Sequence, residues 1–413
     1  MPENASKSAA FFAPFAISSY RFQWIADLLL SCAMEMEVPI LGWYILVETK
    51  SVMMLALFGG AQYIGTLLSP LMGVAGDRLG CRNLLLILRS ALTLLAACIL
   101  GLNLLGALTP VAALILSGLA GLLRPSDGMI RTTLVSQTVP PQLLMSAMGV
   151  SRTTQDMARV MGALLGTGLV TWLGFDRAYE TITALYVCGT LLTLGAHQVI
   201  GQATARSPLH DMWLGLVYVF KSPTLLAAFW IAFLINLTAY PFTLGLLPHV
   251  AKSIYGIDQT GLGTLVASFS LGGLLGSLCL SLWGQKIQPG RAMILGSAFW
   301  YVFLVLFGQT ESLAAGFVLL CCAGFAQNIC TVPMFVLMLR LSEEDYRGRV
   351  MGARMLAIYG LPLGLLAAGP MIEQFGFVIT NIVMTLAGLA VLGLITLVWR
   401  QQIWDLAAEA NQR

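Results

Sequence analysis

Ionisable side chains set inside long apolar stretches are the residues of this chain that can do chemistry. Asp27, Glu35 and Glu37 fall in one such stretch, Arg124, Asp127 and Arg131 in another, and Arg152, Asp156 and Arg159 in a third. A charge at mid-bilayer costs about 2.5–3.5 kcal/mol on insertion scales, so its presence needs a reason. An acid in low dielectric can take up and release a proton, and a neighbouring guanidinium can hold it ionised or receive an anionic group. On a helix at about 100° per residue, Asp27 lies within roughly 80° of Glu35, whereas Glu37 points elsewhere. Arg124, Asp127 and Arg131, at i, i+3 and i+7, form one polar stripe, and Arg152, Asp156 and Arg159 form a second at i, i+4 and i+7. Two charged stripes imply a wet interior.

The elements that must carry these residues are membrane helices. Of 413 residues, 58% are hydrophobic and 10% charged, against about a quarter charged in soluble chains. Twelve apolar segments are long enough to span: 18–47, 51–76, 83–107, 111–136, 143–173, 178–200, 222–250, 258–284, 291–309, 313–339, 349–372 and 376–400. Their length and lack of alternation exclude a barrel. The apolar stretch after Arg21 is too long for a cleavable signal and is expected to remain as the first span. With the N-terminus inside, fourteen Lys and Arg fall on the cytoplasmic side, Arg89 among them, and three (Lys50, Arg177, Lys252) fall outside. Both termini are therefore expected in the cytoplasm.

A polar connector, 201–221, divides the chain into bundles 18–200 and 222–400, flanked by a segment 1–17 and a tail 401–413. Met148-Gly149 precedes Gly174 as Met351-Gly352 precedes Gly376, the mark of an internal repeat of the fifth and eleventh spans. The second half offers amides and aromatics: Asn236 and Tyr240 before Pro241 in the seventh span, and Gln327 and Asn328 in the tenth. These can bind a solute or join helices, each interhelical hydrogen bond contributing about 0.6 kcal/mol.

Several function classes are excluded or left without support. The net charge of +3 and the lack of a basic, aromatic-laced run exclude a nucleic-acid partner. Eight scattered cysteines and three histidines near span ends show no metal or disulfide spacing. No P-loop, nucleophile elbow or HExxH motif is present, and neither a cofactor nor enzymatic activity is expected.

Residues 73–82, Gly73-Val-Ala-Gly-Asp77-Arg78-Leu-Gly80-Cys81-Arg82, resemble the G-x-x-x-D-R-x-G-x-R loop between the second and third helices of the major facilitator superfamily, with Cys81 where a basic residue is usual. Ser31 to Glu35, Val139-Pro140-Pro141, Ala158 to Gly162 and Tyr346 to Met351 extend the resemblance toward the bacterial proton-coupled efflux branch that includes siderophore exporters. The resemblance implies an all-α fold of twelve spans in two pseudo-symmetric six-helix bundles, in the bacterial inner membrane and acting as a monomer. It also implies that the first, fourth, seventh and tenth spans line a central cavity. On that basis Glu35 is the expected proton carrier, with Asp27 and Glu37 as further acids and Arg124 as the partner of Glu35. Arg124, Asp127, Asn236, Tyr240, Gln327 and Asn328 are the expected substrate contacts. Gly73, Asp77, Arg78, Gly80 and Arg82 with Arg347 and Arg349 are the expected gate, Asp77 capping the eleventh span. Arg131, Arg152, Asp156 and Arg159 are expected to pair helices. The function implied is secondary active, proton-driven export of a small amphipathic drug, siderophore or metabolite. Uptake, lipid flipping and a non-transporting receptor or partner subunit remain open.

Overall fold

The computed structural model describes residues 13–68, 72, 75–76, 78–197, 208–283, 287–343 and 346–400. Every regular element among them is helical. The spans appear as Ser18–Thr49, Val52–Ala61, Cys81–Leu104, Pro110–Thr138, a continuous Pro141–Thr193, Pro223–Thr238 with its extension to 254, Gln259–Trp283, Pro289–Gln309, Leu313–Leu341, Arg347–Leu356 continuing through Gly360–Phe375, and Phe377–Val398. Pro141–Thr193 is two spans joined at Gly174, whose φ of 84° and ψ of 168° break the helix. Gly376 turns the chain between the last two spans with nearly the same angles, 81° and 166°. A side chain is strained at such a positive φ, which explains why glycine stands at both turns. Seven helices among the described residues are by themselves long and apolar enough to cross a membrane. Pro110–Thr138 is not one of them, because Arg124, Asp127 and Arg131 dilute it.

The surface is apolar and the interior partly charged. Leu94, Ile115, Leu191, Leu282, Val318 and Leu394 are exposed, while Asp27, Glu37, Arg89 and Asp127 are buried. In water that arrangement would cost both ways, and in lipid it satisfies both sets.

The chain divides into two compact units, one of residues 1–44 and 64–205, the other of 45–63 and 206–413. In the first unit, Leu84, Leu85 and Leu88 of the third span pack with Ile130 and Leu134 of the fourth. Tyr20, Val135, Val139 and Ala147 form a second cluster, where the Tyr20 hydroxyl donates to the Ala147 carbonyl at 3.0 Å. The first and fifth spans touch through glycine: a Cβ on Gly162 would stand 2.8 Å from that of Glu35, and one on Gly166 2.8 Å from the Met36 Cα. This close approach sets Glu35 of the first span against the fifth.

In the second unit, segment 45–63 packs beside the eleventh span, where Met53 and Ala56 meet Gly369 and Gly60 meets Pro362. Glu373 accepts hydrogen bonds from the Ser51 hydroxyl at 3.0 Å and the Met53 amide at 3.1 Å. The polar connector expected over 201–221 is in its second part a helix, Pro208–Lys221, bent 113° from the seventh span. Its Tyr218 ring stacks on Tyr346 at 4.5 Å, which gives this stretch a packing partner that its polar start does not announce. Pro241 cannot donate to the helix ladder, and the seventh span answers with a wider π turn over Pro241–Gly245, the Leu246 amide reaching the Pro241 carbonyl at 3.0 Å.

Replacing Gly166 with valine is expected to overpack this contact, at a cost of about 1–3 kcal/mol. Gly168→Ala, where nothing lies within 4 Å, is expected to be neutral. Thermal unfolding of the purified variants measures the contrast.

Candidate functional site

The charged groups of the first unit assemble around a guanidinium donated by the third span. Arg89 is 0% exposed. Its Nη2 donates to Asp27 Oδ1 at 2.5 Å, its Nε to Asp127 Oδ1 at 2.9 Å and its Nη1 to Thr193 Oγ1 at 2.7 Å. The first, third, fourth and sixth spans thus converge on one cation. Both carboxylates are nearly enclosed, and a buried ion of this kind persists only when its partners are within hydrogen-bonding reach. Asp27 also lines a small pocket with Trp24, Ser31, Arg131, Ser151 and Thr154. There Arg131 Nη1 donates to Ser31 Oγ at 3.0 Å while its Nε has no hydrogen-bond partner, and Trp24 Nε1 donates to Thr154 Oγ1 at 2.8 Å. Asp27 is therefore the member of the cluster that borders open space.

A second cluster holds Glu37. Arg124 Nη2 donates to its Oε2 at 2.5 Å, as does the Tyr186 hydroxyl at 2.8 Å, and the Tyr179 hydroxyl donates to Oε1 at 3.3 Å. The expected pairing of Arg124 with Glu35 is not what the structure contains. Glu35 and Glu37 are two residues apart, about 200° around the axis, so a helix that turns one toward the fourth and sixth spans turns the other away. Glu35 instead meets Arg159 at 3.4 Å with both side chains partly exposed. The fifth-span stripe pairs along its own helix, Arg152 to Asp156 at 3.4 Å and Arg159 to Asp156 at 4.0 Å.

In the second unit the amides make contacts of two kinds. Asn328 Nδ2 donates to the Gly273 carbonyl and, at 3.0 Å, to Ser277 Oγ, joining the tenth span to the eighth. Gln327 Nε2 donates to the Tyr240 hydroxyl at 3.0 Å, joining the tenth to the seventh. Asn236 Nδ2 returns to its own helix at Ala232. Of the expected gate, Gly73 and Asp77 lie outside the described residues, so the capping contact of Asp77 is not placed. Arg78 is exposed, Gly80 begins the third span at φ 82°, and Arg82 Nη1 reaches the Ala196 carbonyl at 3.5 Å. Arg347 Nε donates to the Leu339 carbonyl at 3.3 Å, and the Arg349 guanidinium lies 5.1 Å from the Tyr346 ring.

A profile of the Major Facilitator Superfamily matches residues 24–366 and 229–404. The chain belongs to that superfamily. It is therefore a multi-pass membrane transporter of small molecules with the twelve-span fold, and not an enzyme. Among its relatives is the enterobactin exporter EntS of Escherichia coli O1:K1, 25% identical over 308 residues that cover 72% of this chain and 70% of the exporter. The same protein of Escherichia coli O139:H28 matches equally. Among solved structures, the bacterial homologue of the human lysosomal transporter Spinster superposes with a TM-score of 0.73 at 11% identity, covering 94% of this chain and 97% of that one. A D-xylose-proton symporter superposes at 0.70 and 13%, covering 92% and 96%. These two likenesses concern the fold.

Arg89 is the residue that the sequence reading missed, having been grouped with basic residues at a span end. Its signal was present: four leucines and an isoleucine precede it and a further apolar run follows, so it sits two turns inside a span. Tyr179, Tyr186 and Thr193 carried no comparable mark.

Arg89→Ala leaves two buried carboxylates without their shared cation and is expected to destabilise the protein by about 3–5 kcal/mol. Arg159→Ala, at a partly exposed pair, is expected to cost less than about 1 kcal/mol. Thermal unfolding in detergent measures both.

Proposed function

We propose that this transporter exports a small amphipathic organic solute in exchange for protons across the bacterial inner membrane, with both termini in the cytoplasm. The observation that carries the reading is the sharing of Arg89 by Asp27 and Asp127. One guanidinium in direct contact with two carboxylates leaves the cluster dependent on a further positive charge, which Arg131, bound to Ser31 rather than to Asp27, supplies only at a distance. A proton reaching Asp27 through the adjoining pocket would neutralise it and leave Arg89 to Asp127 alone. In low dielectric that exchange changes the attraction holding the first span to the third by several kcal/mol, enough to bias a two-state equilibrium. Glu37, held by three donors, has the character of a fixed tie between spans, and the more exposed Glu35 is a weaker choice of carrier than its mid-span position implied.

Export, and a siderophore-like solute, are supported by the resemblance to the enterobactin exporters. In proteoliposomes with an acidic lumen, protons leaving down their gradient are expected to drive enterobactin inward against its own gradient. Asp27→Asn should keep binding and equilibration but lose accumulation. An Asp27→Asn protein that still builds a solute gradient from the pH difference alone would remove this cluster from coupling. Movement that ignores pH in the unaltered protein would remove proton coupling itself, and absence of any movement would favour a receptor.

A further inference from the structure

The two units treat buried arginine differently. In the first, Arg89 and Arg124 each meet a carboxylate. In the second, Arg354 of the eleventh span is in an ion pair with no described residue. It stands about two turns after the span begins at Arg347, immediately before the tight turn Ala357–Tyr359 that interrupts the span. Its guanidinium lies 3.4 Å from the centre of the Phe335 ring, and the titratable groups that face it are the Tyr240 hydroxyl and the Cys330 thiol. Neither is a carboxylate. Its Nε has no hydrogen-bond partner.

Two further side chains, Trp300 and Gln327, lie against Tyr240. Trp300 is 0% exposed, packs edge-on against Tyr240 at 4.8 Å, and its indole N–H is also without a partner. Gln327 Nε2 donates to the Tyr240 hydroxyl at 3.0 Å. A permanent cation that is half buried inside a membrane span, stacked on an aromatic ring and faced by no carboxylate among the described residues, is the complement of an anion carried on a flat apolar body.

We infer that Arg354 anchors a subsite for the anionic group of an aromatic solute, with Phe335 and Tyr240 forming its apolar and hydroxyl walls. The guanidinium receives the anion by charge-assisted hydrogen bonds while its face stays on Phe335. The inference rests on the transport reading only in calling the ligand a transported solute; binding itself requires neither a proton gradient nor movement.

The test therefore uses equilibrium binding to the full chain in detergent, followed by tryptophan fluorescence and thermal shift, with three probes of one shape: 2-naphthoate, 2-naphthamide and 2-naphthylmethylammonium. Naphthoate is expected to bind at least about tenfold more tightly than the amide, and the ammonium more weakly than either. Arg354→Gln should erase the preference for naphthoate. Arg354→Lys, which keeps the charge and guards against a folding failure of the glutamine variant, should retain the preference with affinity lowered several-fold, because an ammonium cannot offer the planar fork. Failure of naphthoate to bind the unaltered protein, a preference that survives Arg354→Gln, or an unchanged affinity in Arg354→Lys would overturn the assignment. If binding behaves as expected while proteoliposomes move no solute, the subsite stands and the transport reading falls.

Discussion

One guanidinium sets the arrangement of the N-terminal unit. Arg89 has no exposed surface, so its charge must be met inside the protein, and three spans besides its own supply the groups that meet it: Asp27, Asp127 and Thr193. Nothing in hydrocarbon drives helices together as water drives soluble cores, and association depends on close packing and polar contacts. Arg89 provides the polar part, and Gly162 and Gly166 provide the close packing that holds the first span against the fifth. Glu37 with Arg124, Tyr179 and Tyr186 repeats the solution further along the first span.

The two clusters differ in what they permit. Glu37 receives three donors and is enclosed, so loss of its charge would take the carboxylate from the ion pair that Arg124 makes with it. Asp27 shares its only guanidinium contact and borders a pocket. A shared contact beside an opening is the arrangement in which protonation has a low structural cost and a large electrostatic effect, and this is why the proposed coupling is placed at Asp27 and not at the better-held Glu37.

The fold was legible in the sequence because its rules are coarse. Apolar length announces a span, and Gly174 and Gly376 marked turns that adopt matching positive-φ conformations. The charged residues of the first, fourth and fifth spans were equally visible, since charge among apolar neighbours stands out. Pairing was not visible. Which acid meets Arg124 depends on how the first span is rotated, and two residues of sequence shift the answer by half a turn. The depth of Arg89 was hidden because counting basic residues by side treats every arginine near a span end alike. The connector helix Pro208–Lys221 escaped notice because it is short and begins in polar sequence, and its order comes from Tyr346, far along the chain.

The central claim is that the Asp27–Arg89–Asp127 cluster takes up and releases a proton as a unit. Infrared difference spectroscopy of the reconstituted protein, stepped in pH, reports it directly through the carbonyl stretch of a protonated carboxylic acid. The account predicts that a band of this kind grows on acidification, disappears in Asp27→Asn and shifts in Asp127→Asn. A band that is the same in the unaltered protein and in both variants would contradict it.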